Sequence, residues 1–370
     1  MVRISKPLFS ETDLDEITST IRRTLSEGWL TTGSITEAFE KEVAHFVGTE
    51  HAVATNSCST ALTSILLALG IKAGDTVILP ANTFAATANS IKNAGAVPFF
   101  VDCLPDTFNI SPDEITARAP INTKAVIAVN IGGNPCDLDR LVEICKANDW
   151  FFVQDAAHSF GSLYQADLPA SYGIASSFSF SATKVITSGE GGAVATDSAE
   201  LYRRVKAIRD NGRLTTGPSD VMYQGSNFKM SNIHAAIGLS QMKHVRQFLG
   251  HRQDLADYYI ANLPRWLVPQ LIRPGNTSSN YAFICMVKPD SPVTRDELAS
   301  FLSSKNIETS IYFKPLTDMS LFVSTKDPWV PVSKEIGERS IGFPIGNSTT
   351  LDEVKSVIEA IKFSTEEVRV

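Results

Sequence analysis

Lys184 closes the run Ile174-Ala175-Ser176-Ser177-Phe178-Ser179-Phe180-Ser181-Ala182-Thr183, whose Phe/Ser alternation predicts a β-strand with one small-polar and one aromatic face. The strand delivers the lysine into a loop ending in Gly189-Glu190-Gly191-Gly192. An amine held there between apolar walls is poorly hydrated, which lowers its pKa from ~10.4 and frees the neutral, nucleophilic form. A solvated lysine after an edge strand is the plainer reading, and the neighbouring motifs decide between the two. Asp155-Ala156-Ala157-His158 follows the apolar run Phe151-Phe152-Val153-Gln154, and a carboxylate at the end of a buried strand needs a cation or a strong donor. His158 alone reads as a satisfied core histidine. Asn56-Ser57-Cys58-Ser59-Thr60 opens a helix with hydroxyls and free backbone N–H groups, either an ordinary N-cap or a phosphate cradle. Phe84 offers an aromatic ring after another apolar run, as core or as a stacking platform.

The elements that must place these groups alternate. Apolar runs at 52–55, 76–80, 97–101, 125–130 and 151–154 are separated by helical patterns at 61–69, 85–93, 112–117 and 138–148. That alternation predicts an α/β fold, a mainly parallel sheet covered by helices on both faces, with ligands bound beyond the carboxyl ends of the strands. Helices are expected before it at 11–27 and 35–46, and after it at 233–249. The remainder reads as a smaller α+β unit: helices near 254–262, 295–305 and 351–363, strands at 282–287 and 308–313, and a loose polar stretch at 274–280. The expected division is a large domain at 1–245 and a small one at 246–370, with the N-terminal helix (1–30) packing beside the small domain. Residues 365–370 are expected to fray.

An acid, a phosphate cradle, a flat aromatic and a late lysine at the strand ends of one sheet are together what pyridoxal 5′-phosphate requires. The lysine forms the Schiff base, the acid keeps the pyridine nitrogen protonated, and the helix end neutralises the phosphate. A nicotinamide dehydrogenase would instead need G-x-G-x-x-G after an early strand, and Thr55-Asn56-Ser57-Cys58-Ser59 contains no glycine.

The order of Trp29-Leu30-Thr31-Thr32-Gly33, Ser57-Cys58-Ser59-Thr60-Ala61-Leu62, Asp155-Ala156-Ala157-His158, the Lys184 segment, Gly189-Glu190-Gly191-Gly192 and Gly225-Ser226-Asn227-Phe228-Lys229-Met230 resembles the DegT/StrS family of sugar aminotransferases over nearly the whole chain. The resemblance implies fold-type I architecture, a homodimer with shared active sites, and Lys184, Asp155 and His158 as the catalytic set. Lys184 would carry the cofactor, Asp155 would pair with its pyridine nitrogen, and His158 would lie near its phenolic oxygen. Phe84 would cover the ring, while Ser57, Cys58, Ser59 and Ser179 would hold the phosphate. Asn227 would reach the cofactor of the neighbouring subunit. Thr31, Asn130, Glu190, Lys229 and Tyr312 would face the sugar. The chain departs from the family pattern at Cys58-Ser59 for Gly-Thr, at Asn130-Ile131-Gly132 for His-Tyr-Gly, at Lys229 for arginine and at Thr317 for histidine; a lysine cannot reproduce a bidentate guanidinium contact.

The implied reaction is a ping-pong transamination from an amino acid, glutamate, to a keto sugar linked to a nucleotide. A related dehydratase branch carries histidine in place of Lys184. The same residues leave open a regulatory protein that binds the cofactor without turnover, and a desulfurase, which would need a mobile thiol. Composition narrows the rest. With 33 basic and 40 acidic residues the net charge is −7, and no basic run suits nucleic acid or anionic membrane. The absence of a long apolar window or an apolar leader leads to the expectation of a cytoplasmic protein. The five scattered cysteines predict small core residues rather than disulfides or a metal site.

Overall fold

The structure, a computed structural model, describes residues 1–214, 220–322 and 329–367. Helix α1 (Glu11–Glu27) starts in a Ser10/Asp13 capping box and stops where Gly28 turns left-handed at φ 73°. Helix α2 (Ser34–Val47) follows. The alternating segment then runs β1 (His51–Thr55), α3 (Cys58–Ala68), β2 (Thr76–Pro80), α4 (Ala85–Asn93), β3 (Val97–Val101), α5 (Pro112–Arg118), β4 (Thr123–Val129), α6 (Leu138–Ala147), β5 (Phe151–Asp155), β6 (Ala175–Ser179), β7 (Gly192–Thr196) and α7 (Ala199–Arg209). These strands form one sheet in the order β1-β7-β6-β5-β4-β2-β3. Only β7 runs antiparallel, between β1 and β6. Residues of β2, β6 and β7 are buried throughout, as a sheet covered on both faces demands.

Helices α8 (Asn232–Met242) and α9 (Val245–Asn262) replace the single helix expected at 233–249. The break falls at Lys243-His244, where side chains turn back to α1: His244 Nε2 meets Asp13 Oδ1 at 2.8 Å, Ser240 Oγ donates to the same oxygen at 3.0 Å, and Lys243 pairs with Glu16. Helix α1 therefore packs on α8, and the expectation that it joins the small unit is corrected. The residues ahead of it make that attachment instead: Val2 bridges Ile307, and Ile345 N donates to Ile4 O at 3.0 Å.

The second sheet is β8 (Leu267–Pro269), β9 (Phe283–Val287) and β10, flanked by α10 (Arg295–Ser304), α11 (Pro331–Arg339) and α12 (Leu351–Glu367), with β10 at Ser340–Phe343 and order β10-β9-β8. The strand expected at 308–313 is not one. Only Ser310 bridges Gly342, while Phe313 N donates to Asn82 Oδ1 at 2.5 Å, so this backbone serves the large sheet's loops rather than a ladder. The stretch at 274–280 is not loose either: Ser278, Ser279 and Asn280 are buried, and Ser279 Oγ donates to His158 O at 2.6 Å. Part of the expected frayed end, 368–370, lies outside the described residues. All five cysteines are buried and free. Among the described residues no helix is long and apolar enough to cross a membrane.

Candidate active site

A cavity of about 530 Å³ opens beyond the strand ends, between the two sheets. Most of the polar and aromatic large-sheet lining comes from residues at or just after a strand end: Ser57, Cys58 and Ser59 after β1, Phe84 after β2, Asp155 and His158 around the end of β5, and Ser179 and Lys184 around the end of β6. Glu190 and Tyr312 also line it.

Asp155 is 5% exposed at the cavity floor. Thr87 Oγ1 donates to its Oδ2 at 2.7 Å, Ala157 N to Oδ1 at 3.2 Å, and Cys58 Sγ lies 3.9 Å from Oδ1. Burial raises its pKa above the usual aspartate value, against the pull of these donors and of Lys184. A carboxylate held by neutral donors in such a place gains most from a cationic partner. His158 is pressed the other way: burial, and secondarily Lys184, hold its pKa well below the ordinary 6.5, so the ring is neutral. Its Nδ1 accepts from Gly132 N at 3.4 Å, and its face stacks on Tyr281 at 4.2 Å. Burial, reinforced by Asp155, drives the Cys58 thiol far up, so it behaves as a small inert side chain rather than a nucleophile.

The loop at Ser57–Ser59 starts α3, with Ser57 Oγ accepting from Thr60 N at 3.2 Å as the N-cap. Gly192 lies directly beneath it. A Cβ there would come within 2.5 Å of Cys58 N and strike the Ser57 carbonyl carbon as well, so β7 approaches this loop as only glycine permits. Phe84 is 62% exposed at the cavity mouth, 6.0 Å from the Phe313 ring centre, with a face open for stacking. The residues fit pyridoxal 5′-phosphate: free N–H groups and hydroxyls at a helix start suit a phosphate, a buried carboxylate suits a protonated ring nitrogen, and Lys184 shares the same cavity.

Other expected contacts lie elsewhere. Asn130 is fully buried, donating to Gln154 Oε1 at 3.3 Å and Ser159 Oγ at 3.0 Å and accepting from Cys136 N at 3.0 Å, so it braces the sheet end instead of meeting a sugar. Lys229 is paired with Asp210 outside the cavity. Thr31 is exposed and bridges Ser231. Asn227 is exposed beside Asp210, outside its own chain's cavity. Thr87 and Tyr281, both at the heart of the site, carry no motif. Thr87 sits inside a helix and Tyr281 follows the polar stretch; only the demand for a donor to Asp155 could have pointed to the first.

The sequence profile of the DegT/DnrJ/EryC1/StrS aminotransferase family matches residues 11–362. The chain is 33% identical to the spore coat polysaccharide biosynthesis protein SpsC of Bacillus subtilis, over 97% of this chain and 95% of that protein. It is 32% identical to the GDP-perosamine synthase of Escherichia coli O157:H7, over 92% and 93% of the two chains. The PLP form of Spr1654 of Streptococcus pneumoniae, a candidate sugar aminotransferase, superposes with a TM-score of 0.92 at 28% identity, over 99% of this chain and 98% of that one. The chain belongs to the DegT/DnrJ/EryC1/StrS aminotransferase family and is a pyridoxal 5′-phosphate-dependent aminotransferase of fold type I.

Proposed function

We propose that this aminotransferase moves an amino group from glutamate to a keto sugar carried on a nucleotide, by a ping-pong cycle. The observation that carries the reading is the meeting of Lys184 and Asp155 on one cavity at the ends of adjacent parallel strands. The name of the GDP-perosamine synthase relative supports a nucleotide-linked acceptor.

Ser57, Cys58, Ser59 and Ser179 would hold the cofactor phosphate, Phe84 and His158 would flank the ring, and Asp155 would face its nitrogen. When bound, the cofactor supplies an exchangeable carbonyl and a ring that accepts an electron pair. Lys184 acts as the general base, taking the proton from the donor's α-carbon and later returning one to the acceptor carbon. Asp155, ionised, stabilises a positive ring nitrogen, and neutral His158 supplies a polar edge without a competing charge. Glu190 and Tyr312 line the cavity, which supports a reading in which they exchange hydrogen bonds with sugar hydroxyls. The working unit is a homodimer in which Asn227 reaches the neighbouring cavity, and the chain divides near 245, at the break between α8 and α9.

The test loads purified protein with pyridoxal phosphate, adds glutamate and follows bleaching of the visible band. A panel of 3-keto and 4-keto sugars, free and nucleotide-linked, is then scored for its return. Bleaching by glutamate and recovery with a nucleotide-linked keto sugar are expected. A band that no amino acid bleaches would overturn the reading.

A further inference from the structure

Lys184 rises from a loop that is held from two directions. At its ends the large sheet secures it, Phe180 N donating to Gly191 O and Ser188 N to Phe180 O, each at 2.9 Å. At its tip Lys184 N donates to Ser181 O at 3.1 Å, and the carbonyls on either side of the lysine are taken by residues far away in the chain. Thr183 O accepts from Ser5 Oγ at 3.3 Å, and Val185 O accepts from Asn347 Nδ2 at 2.8 Å. Val185 and Asn347 are both buried. The two donors belong to one patch beside β10: Ile345 N donates to Ile4 O at 3.0 Å, and a Cβ at Gly346 would lie 3.0 Å from Ser5 Oγ. Ile4, Ser5 and Ile345 from that patch also line the cavity.

Behind Asn347 stands Arg252 of α9, with no exposed surface. Arg252 Nε donates to Asn347 Oδ1 at 2.7 Å, and Nη1 donates to the carbonyls of Asn280, Ile345 and Tyr281 at 3.1, 3.3 and 3.4 Å. A guanidinium only donates, so the amide oxygen of Asn347 must face it, and the amide nitrogen is left for Val185. The same guanidinium fixes the backbone of Tyr281, whose ring centre lies 4.0 Å from Lys184 Nζ. Each of these acceptors is neutral, and Nη2 has no hydrogen-bond partner, a costly arrangement for a buried cation.

We propose that Asn347 is a positioning residue that acts on Lys184 through the Val185 carbonyl, with Ser5 as its counterpart on the Thr183 carbonyl and Arg252 as the group that orients it. The inference rests on Lys184 being the amine that carries the cofactor. A lysine amine rides on a flexible four-carbon stem, so it can be aimed only if the backbone beneath it is fixed. Hydrogen bonds to the peptide groups on both sides of Lys184 stop those planes from rotating and the Cα from tilting. A core that only needed filling at 252 and 347 would do as well with two apolar side chains. The buried polar pair is accounted for by the donor it presents to the loop. Because that donor comes from the side of the second sheet, the aim of the amine depends on the second sheet being seated against the cavity.

The test begins with cofactor-free protein, which makes it independent of turnover. Asn347→Asp keeps the size, gives Arg252 a counter-charge and turns the donor facing Val185 O into an acceptor. Hydrogen–deuterium exchange of the peptide 181–188 should run several-fold faster than in the wild type, while peptides from β2 and β4 exchange as before. Exchange at 181–188 that is no faster, or faster only in step with β2 and β4, would overturn the proposal. In the loaded enzyme the limiting rate of bleaching by glutamate should fall about ten-fold or more with the half-saturating glutamate concentration little changed, the mark of a misaimed amine rather than of lost binding. A change in half-saturation alone would overturn the proposal as well. Ser5→Ala removes the second donor without touching Arg252 and carries the test where Asn347→Asp does not fold; it should loosen the same peptide and slow the same step. A wild-type protein whose band glutamate never bleaches would instead overturn the proposed function, leaving the exchange measurement to decide whether Asn347 holds the loop.

Discussion

Thr87 Oγ1 sits 2.7 Å from Asp155 Oδ2, tying helix α4 to the acid on the cavity floor. Thr83 Oγ1 lies 2.9 Å from the same Thr87 oxygen, and because Thr87 spends its own proton on the carboxylate, Thr83 is the donor to it. Thr87→Val preserves the shape and removes the donor. A hydrogen bond to a charged group contributes about 1.5–3 kcal/mol, so affinity for pyridoxal phosphate should fall about ten-fold or more. Fluorescence titration of the cofactor-free variant measures it; unchanged affinity would show that Asp155 needs no such brace.

Asp155 itself works against the empty fold. Its folded pKa is raised above the ordinary 3.8, so its contribution is most favourable below that value and is lost as pH rises through the folded pKa. The penalty grows as pH climbs from 3.8 toward the raised folded value. Asp155→Asn should therefore melt higher than the wild type at pH near 7 without cofactor and gain less near pH 4, while binding pyridoxal phosphate more weakly. Melting curves at the two pH values decide it, and a lower melting point at neutral pH would contradict the sign.

Gly192 and Gly250 make a matched pair. Adding a methyl at Gly192 drives it into the Ser57-Cys58 backbone, whereas Gly250, in α9, has nothing within 4 Å. Gly192→Ala should lose cofactor affinity and melt lower. Gly250→Ala should melt slightly higher, since glycine inside a helix costs roughly 0.5–1 kcal/mol relative to alanine. Equal behaviour of the two variants would refute the close approach.

His158 is neutral in the folded protein because burial, then Lys184, depress its pKa. The unfolded chain takes up a proton near the ordinary 6.5, so this residue costs stability as pH falls below that value toward the depressed folded one. His158→Gln should flatten the decline of melting temperature between about pH 7 and 5, whatever its effect on the baseline. An identical slope in both proteins would mean the histidine is charged in the fold.

The large sheet was legible because most of its strands are short apolar runs and several of the site residues sit at or just beyond a strand end. Lys184, Asp155, Phe84 and the Ser57 loop followed from that rule. Strand β7 was not foreseen, since Gly192-Ala193-Val194-Ala195-Thr196 is weakly patterned and reads as the tail of a glycine loop. Strand β10 was hidden by the stronger β-branched and aromatic signal at 308–313, whose backbone is claimed by Asn82 and Gly342. Asn130 is expected at the sugar because the family resemblance puts it where a histidine precedes Tyr-Gly; only the fold reveals that Gln154, Ser159 and Cys136 already occupy it. Tyr281 and Arg252 are joined solely by tertiary packing, which periodicity does not encode.

Strand β7 leaves the lysine loop at Gly192 and, in the same residue, presses against the start of α3. The two ends of the cavity are therefore registered on one backbone, like the fixed jaws of a caliper. Such a site measures the length of what it holds, and a ligand lacking its far anionic end would engage only one jaw.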